Sequence, residues 1–170
     1  MSVVCGVAVL EVCIGKEPRM DLRELNRVNV RRCEESFHKV NDWSPCDWMT
    51  AVAGEVGEAA NKIKKLKRIE TDGLDTPQNR ELLELIPRQL LKEAPDVIER
   101  AVREALQLSI ADELADVVIY LDLLAHRLGV SLSEAVVRKF NRTSEKVGSP
   151  LRLPDAVKLD LEGQRLGHFS

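Results

Sequence analysis

Residues 109–128 read SIADELADVVIYLDLLAHRL. Ile110, Leu114, Val117, Val118, Leu121, Leu124, Ala125 and Leu128 return at steps of three and four, the spacing that gathers side chains on one face of an α-helix. No period-two alternation competes with it, and Gly129 supplies the stop. Downstream, Ser131-Leu132-Ser133-Glu134 has the form of a capping box and predicts a last helix to about Val147, closed by Gly148 and Pro150.

Upstream, Ser44-Pro45-Cys46-Asp47 combines an N-cap hydroxyl, a proline at the first helical position and an acid at the third, so a helix starts there. Its apolar stripe runs Trp48, Val52, Val56, Ala59, Ile63, Leu66, and Thr71-Asp72-Gly73 marks its end. Leu22, Leu25, Val28 and Val30, followed by Phe37 and Val40, predict a first helix ending near Asn41. Between the two strongest helices, Thr76-Pro77 and Ala94-Pro95 each resemble a helix start, and residues 76–107 are expected to hold two short inserted helices. The expectation is therefore an all-α protein: a four-helix-type bundle core over residues 20–148 with a helical insert at 76–107, an extension at 1–19 and a tail at 149–170.

Composition agrees with that class. A chain of 170 residues, 44% hydrophobic and 31% charged, has the size of one domain that buries about two-thirds of its unfolded surface. An aromatic share of only 4% disfavours a β-sandwich or barrel. The net charge of −3 offers no basic field for a nucleic-acid polymer. The apolar run at residues 3–14 is far shorter than the ~20 residues a membrane span needs and is interrupted by Glu11. Cys5, Cys13, Cys33 and Cys46 form no CxxC pair, which fits reduced thiols and a cytoplasmic location.

Two acid pairs carry the chemistry: Glu55 with Glu58, and Glu113 with Asp116. Residues three apart on a helix point the same way, so each pair can present two carboxylates to one cation. Both pairs flank the apolar stripe of their helix. If the two helices pack together, four carboxylates converge, and a divalent cation removes the repulsion between them. An all-oxygen donor set suits a hard ion such as Mg²⁺, with Mn²⁺ as a substitute, and Lys62 and Lys65 nearby suit a phosphate tail. A solvated acidic face also yields such pairs, and spacing alone does not separate the readings.

The strings Trp48-Met49-Thr50-Ala51-Val52-Ala53-Gly54-Glu55-Val56-Gly57-Glu58 and Asp112-Glu113-Leu114-Ala115-Asp116-Val117-Val118-Ile119-Tyr120 resemble the paired ExxE and ExxD signature of MazG-type nucleotide pyrophosphohydrolases. This is the all-α superfamily that includes dCTP pyrophosphatases and dimeric dUTPases. The resemblance spans about Leu22 to Gly148. It implies Mg²⁺ held by Glu55, Glu58, Glu113 and Asp116, with Glu55 or Glu58 as the base. It also implies hydrolysis of nucleoside triphosphates, deoxynucleotides above all, to monophosphate and pyrophosphate for housecleaning or pool control, by a homodimer or homotetramer.

By position it further implies substrate contacts from Trp43, Trp48, Tyr120, Lys139 and Asn141, beside the phosphate contacts that Lys62 and Lys65 suit. His38 reads as a surface or packing residue. One departure stands out: 54 residues separate Glu58 from Glu113, more than the family's usual spacing, which leaves specificity and oligomer type open. The alternative is a helical interaction protein that keeps the fold without the activity. A di-iron carboxylate bundle is disfavoured because the Glu-x-x-His pairs it needs are missing.

Overall fold

Every regular element among residues 21–154, the part of the chain that the computed structural model describes, is helical. The expected 1–19 extension, and the tail beyond 154, lie outside the described residues. Helix α1 spans Leu22–Ser36, and the Asp21 carboxylate caps it by accepting from the amides of Arg23 and Glu24 at 2.8 Å. It ends earlier than Asn41. The Phe37 and His38 amides both donate to the Cys33 carbonyl at 3.0 Å, so the chain turns there, and a 3-10 turn at Val40–Asp42 delivers Val40 to the interior. The buried face of α1 also differs from the expected one: Asn29 and Cys33 are buried, whereas Val28 is 46% exposed.

Helix α2, Pro45–Asp72, starts on the expected capping box. Ser44 Oγ accepts from the Asp47 amide at 3.2 Å, and Asp47 Oδ2 accepts from the Ser44 amide at 2.9 Å. Gly73, at φ +70, takes the left-handed conformation that ends the helix. The side chain of Asn79, fully buried, then organises the following turn: its amide donates to the Gly73 carbonyl at 2.6 Å, and its carbonyl accepts from Arg68 Nε at 3.1 Å.

The two expected inserted helices are replaced by another arrangement. Residues 80–85 and 88–92 form 3-10 turns, and Ala94-Pro95 opens one uninterrupted helix, α3, Pro95–Arg127. Nothing between Pro95 and Gly129 breaks a helix, and the apolar register through Ile98, Val102 and Leu106 continues into Ile110. The N-terminal turns of α3 thus belong to the same helix as Glu113 and Asp116. Helix α4, Leu132–Lys146, begins where Ser131 Oγ accepts from the Glu134 amide at 3.4 Å.

Helices α2 and α3 run antiparallel and pack along most of their length, α1 lies on α3, and α4 touches both α1 and α3. Two apolar clusters hold this arrangement. One joins Cys33, Val40, Trp48, Leu123 and Leu124, with Trp43 and Tyr120 against it. The other joins Ile69 to Val102 and Leu106 through Leu82 and Ile86, which the segment linking α2 to α3 supplies. The expected α2 stripe is only partly buried. Trp48, Val52 and Ala59 face the interior, whereas Val56 and Ile63 stay about half exposed, as do Leu114 and Leu128 on α3. The α2–α3 contact is centred on the small Ala59 side of the helix, which leaves these larger residues on the outer flank.

Ile69 is 1% exposed, so Ile69→Ala is expected to lower stability by roughly 2–5 kcal/mol, read as a fall in urea midpoint at unchanged m-value.

Candidate metal centre and adjoining cavity

Midway along the α2–α3 seam, between the two apolar clusters, Glu55, Glu113 and Asp116 each bring a carboxylate oxygen within 4.8 Å of the others. The fourth expected acid, Glu58, is exposed and stands outside this triad. Burial, a hydrogen bond shared with Glu113, and the charges of Asp116, Glu113 and Glu58 hold the Glu55 carboxyl above its ordinary value of 4.5. Glu113 moves the opposite way, below 4.5, because the Lys62 ammonium donates to it. Lys62 is thus a counter-charge to the acids, and Lys65 pairs with Glu81 at 3.3 Å.

The donor set fits a hard divalent cation. It is all carboxylate, drawn from two helices, and strained by like charge in a way that a cation relieves. Glu55, Glu113 and Asp116 can ligate such an ion, and Glu58, one turn from Glu55, lies at the edge of the group.

Asp116 also lines a cavity of about 430 Å³. Its walls hold three of the aromatics expected to meet substrate, Trp43, Trp48 and Tyr120. The Trp43 and Trp48 rings lie 4.6 Å apart, centroid to centroid, and Trp48 and Tyr120 lie 6.2 Å apart. Trp48 is 1% exposed and donates from its indole to the Val40 carbonyl at 3.1 Å, which fixes the orientation of this wall.

His38, read from sequence as a surface or packing residue, stacks on Trp43 at 4.8 Å and faces the cavity. Asn29, Arg32 and Cys33 from α1 line it too, together with Phe37, Ile119 and Leu123. Burial holds the Cys33 thiol above its ordinary value, which marks it as a packing residue. The α1 residues carried no sequence signal beyond the three-residue spacing of Asn26, Asn29 and Arg32. Lys139 and Asn141 lie elsewhere, on α4. Lys139 is exposed, and Asn141 is engaged with the backbone of Leu153, donating to its carbonyl at 2.9 Å and accepting from its amide at 2.7 Å.

Residues 77–151 match the model of the MazG-like family, a stretch under half the chain that takes in Glu113, Asp116 and α4. The match agrees with the resemblance carried by the Asp112–Tyr120 string, while the Trp48–Glu58 string lies outside the matched residues. No curated protein and no solved structure matches the chain. Among the described residues no helix is long and apolar enough to cross a membrane.

The raised Glu55 carboxyl sets a pH dependence of the metal-free protein. Its stabilising contribution is fully present below 4.5 and is lost as pH rises through the raised value, so at neutral pH its ionised form weakens the fold. Glu55→Gln is therefore expected to raise the melting temperature of metal-free protein at pH 7 and to leave it nearly unchanged below pH 4.5. It should also blunt any further rise on adding Mg²⁺. Differential scanning fluorimetry with EDTA and with Mg²⁺ reads both.

Proposed function

We propose that this protein is a Mg²⁺-dependent pyrophosphohydrolase of nucleoside triphosphates, with deoxynucleoside triphosphates as the favoured substrates, yielding a monophosphate and pyrophosphate. The observation that carries the reading is the carboxylate triad of Glu55, Glu113 and Asp116 opening onto a ring-lined cavity through the shared residue Asp116. A cavity of this size walled by Trp43, Trp48, Tyr120 and His38 suits a planar base and its sugar, and the triad at its edge suits the polyphosphate.

Mg²⁺ held by Glu55, Glu113 and Asp116 would neutralise phosphate charge and acidify a water. Glu58, exposed beside the triad, is the carboxylate free to orient or deprotonate the water that attacks the α-phosphorus. Lys62 holds Glu113 ionised, as cation binding requires. The expected contacts from Lys65, Lys139 and Asn141 are proposals of lesser weight, because Lys65 and Asn141 already have partners within the chain.

A panel of ribo- and deoxynucleoside triphosphates with Mg²⁺ tests this reading. Pyrophosphate release is expected, with kcat/KM reduced at least about a hundredfold in the Glu113→Gln, Asp116→Asn double variant, the loss of several kcal/mol of charge stabilisation. Release of orthophosphate instead, or turnover indifferent to Glu58→Ala with Asp116→Ala, overturns it.

An exposed apolar stripe supports the proposed homo-oligomer. Met49, Val56 and Ile63 recur at steps of seven on the outer flank of α2 and are each about half exposed, with Leu114 and Val118 exposed on α3. A second copy covering this stripe gives a mass of two or four times 19.1 kDa in analytical ultracentrifugation. Val56→Glu with Ile63→Glu should return the protein to monomer.

A further inference from the structure

A triphosphate carries more negative charge than a divalent cation neutralises, so the site needs a side-chain cation that is not already committed. Lys62 is bonded to Glu113 and Lys65 to Glu81. Among the described residues, Arg32 is the one guanidinium or ammonium lining the ring-walled cavity. Among the described residues it makes no ion pair, and its one hydrogen bond runs from Nη2 to the Asn29 carbonyl oxygen at 2.9 Å.

That bond ends a relay from the interior. Asn29 is 3% exposed, and its side-chain amide donates both to the Ile119 carbonyl at 2.9 Å and to Asp122 Oδ2 at 3.0 Å. Asp122, 1% exposed, accepts on its other oxygen from Asn26 at 3.0 Å. Both hydrogens of the Asn29 amide are consumed, so its oxygen is forced to face Arg32. A buried carboxylate thereby fixes the amide that fixes the guanidinium.

The same bonds give the register of α1 on α3. Asn26 meets Asp122, and Asn29 reaches back to Ile119, so the helices run antiparallel and one further turn brings Arg32 level with Asp116. Arg32 and Asp116 line the same cavity. The guanidinium therefore stands where the nucleoside compartment meets the metal-binding acids.

We infer that Arg32 is a substrate-binding residue for the α-phosphate of the bound nucleotide, and that Asn29, pinned by Asp122, is its positioning residue. The inference rests on the pyrophosphohydrolase reading and names the phosphate that this site grips. The α-phosphate is the group next to the nucleoside, and a guanidinium fork matches two of its oxygens in one plane.

Isothermal titration of the full chain in Mg²⁺ tests it. The probes are the four common 2′-deoxynucleosides, their 5′-monophosphates and their α,β-imido triphosphates. Arg32→Gln is expected to leave nucleoside binding within about twofold and to weaken monophosphate and imido triphosphate binding by about ten- to a hundredfold, the range of a charge-assisted hydrogen bond. Arg32→Lys should fall between. Asn29→Ala should weaken monophosphate binding less than Arg32→Gln does, and should add nothing in the double variant.

Equal losses for nucleoside and monophosphate would make Arg32 a reader of base or sugar and overturn the assignment. So would a loss confined to the triphosphate, or no loss where wild type binds. If Asn29→Ala fails to fold, the two Arg32 variants, at an exposed position, decide the matter. Wild type that binds no probe and hydrolyses no triphosphate removes the pyrophosphohydrolase reading itself, an outcome separate from wild type that does both while Arg32→Gln changes nothing.

Discussion

Crowded carboxylates in the middle of the α2–α3 seam are tolerable only because the seam is fastened at both ends. Trp48 packs with Leu123 and Leu124 at one end, and Ile69 with Val102 and Leu106 at the other. Apolar burial of this kind contributes on the order of 25 cal/mol per Å², and it holds Glu55 against Glu113 and Asp116 where free helices would move apart. The raised Glu55 carboxyl is the visible cost of that placement. A site that binds a cation by relieving repulsion needs this kind of frame, since a looser one would relax the repulsion by itself.

What was legible from sequence is what depends on neighbours in sequence. The Ser44–Asp47 and Ser131–Glu134 caps are local chemistry, and both were placed correctly. The i, i+3 logic put Glu113 and Asp116 on one face with Glu55 across from them, but Glu58, paired with Glu55 by the same logic, is exposed and stands outside the group. The long reach of α3 was not legible, because Ala94-Pro95 looks the same whether it opens a short inserted helix or the first turn of a long one. Nor was the polar face of α1. Asn29 is buried by a bond to Asp122, 93 residues away, and a rule that assigns valines to the interior turns the helix the wrong way. His38 was missed for the same reason: its stacking on Trp43 depends on the turn after α1, which pattern alone does not fix.

The two faces of the centre differ in character. On the α2–α3 side, Lys62 offsets one of the clustered carboxylate charges, that of Glu113. On the α1 side, the polar atoms form one chain of hydrogen bonds from Asn26 through Asp122 and Asn29 to Arg32. Such networks strengthen when every member is satisfied, and among the described residues no buried side-chain polar atom lacks a partner.

The link between α2 and α3 has a mechanical consequence. Because Leu82 and Ile86 from that link sit inside the cluster that joins the two helices, the connection works as a clasp, and prising α2 from α3 would expose its whole apolar content. The acids are thus on the stiff side of the molecule. On the other side, the turn carrying Phe37, His38 and Trp43 is pinned by buried Val40, whose carbonyl accepts from the Trp48 indole, and by Arg127 Nε, which donates to the Trp43 carbonyl, so that wall of the cavity is held in place as well.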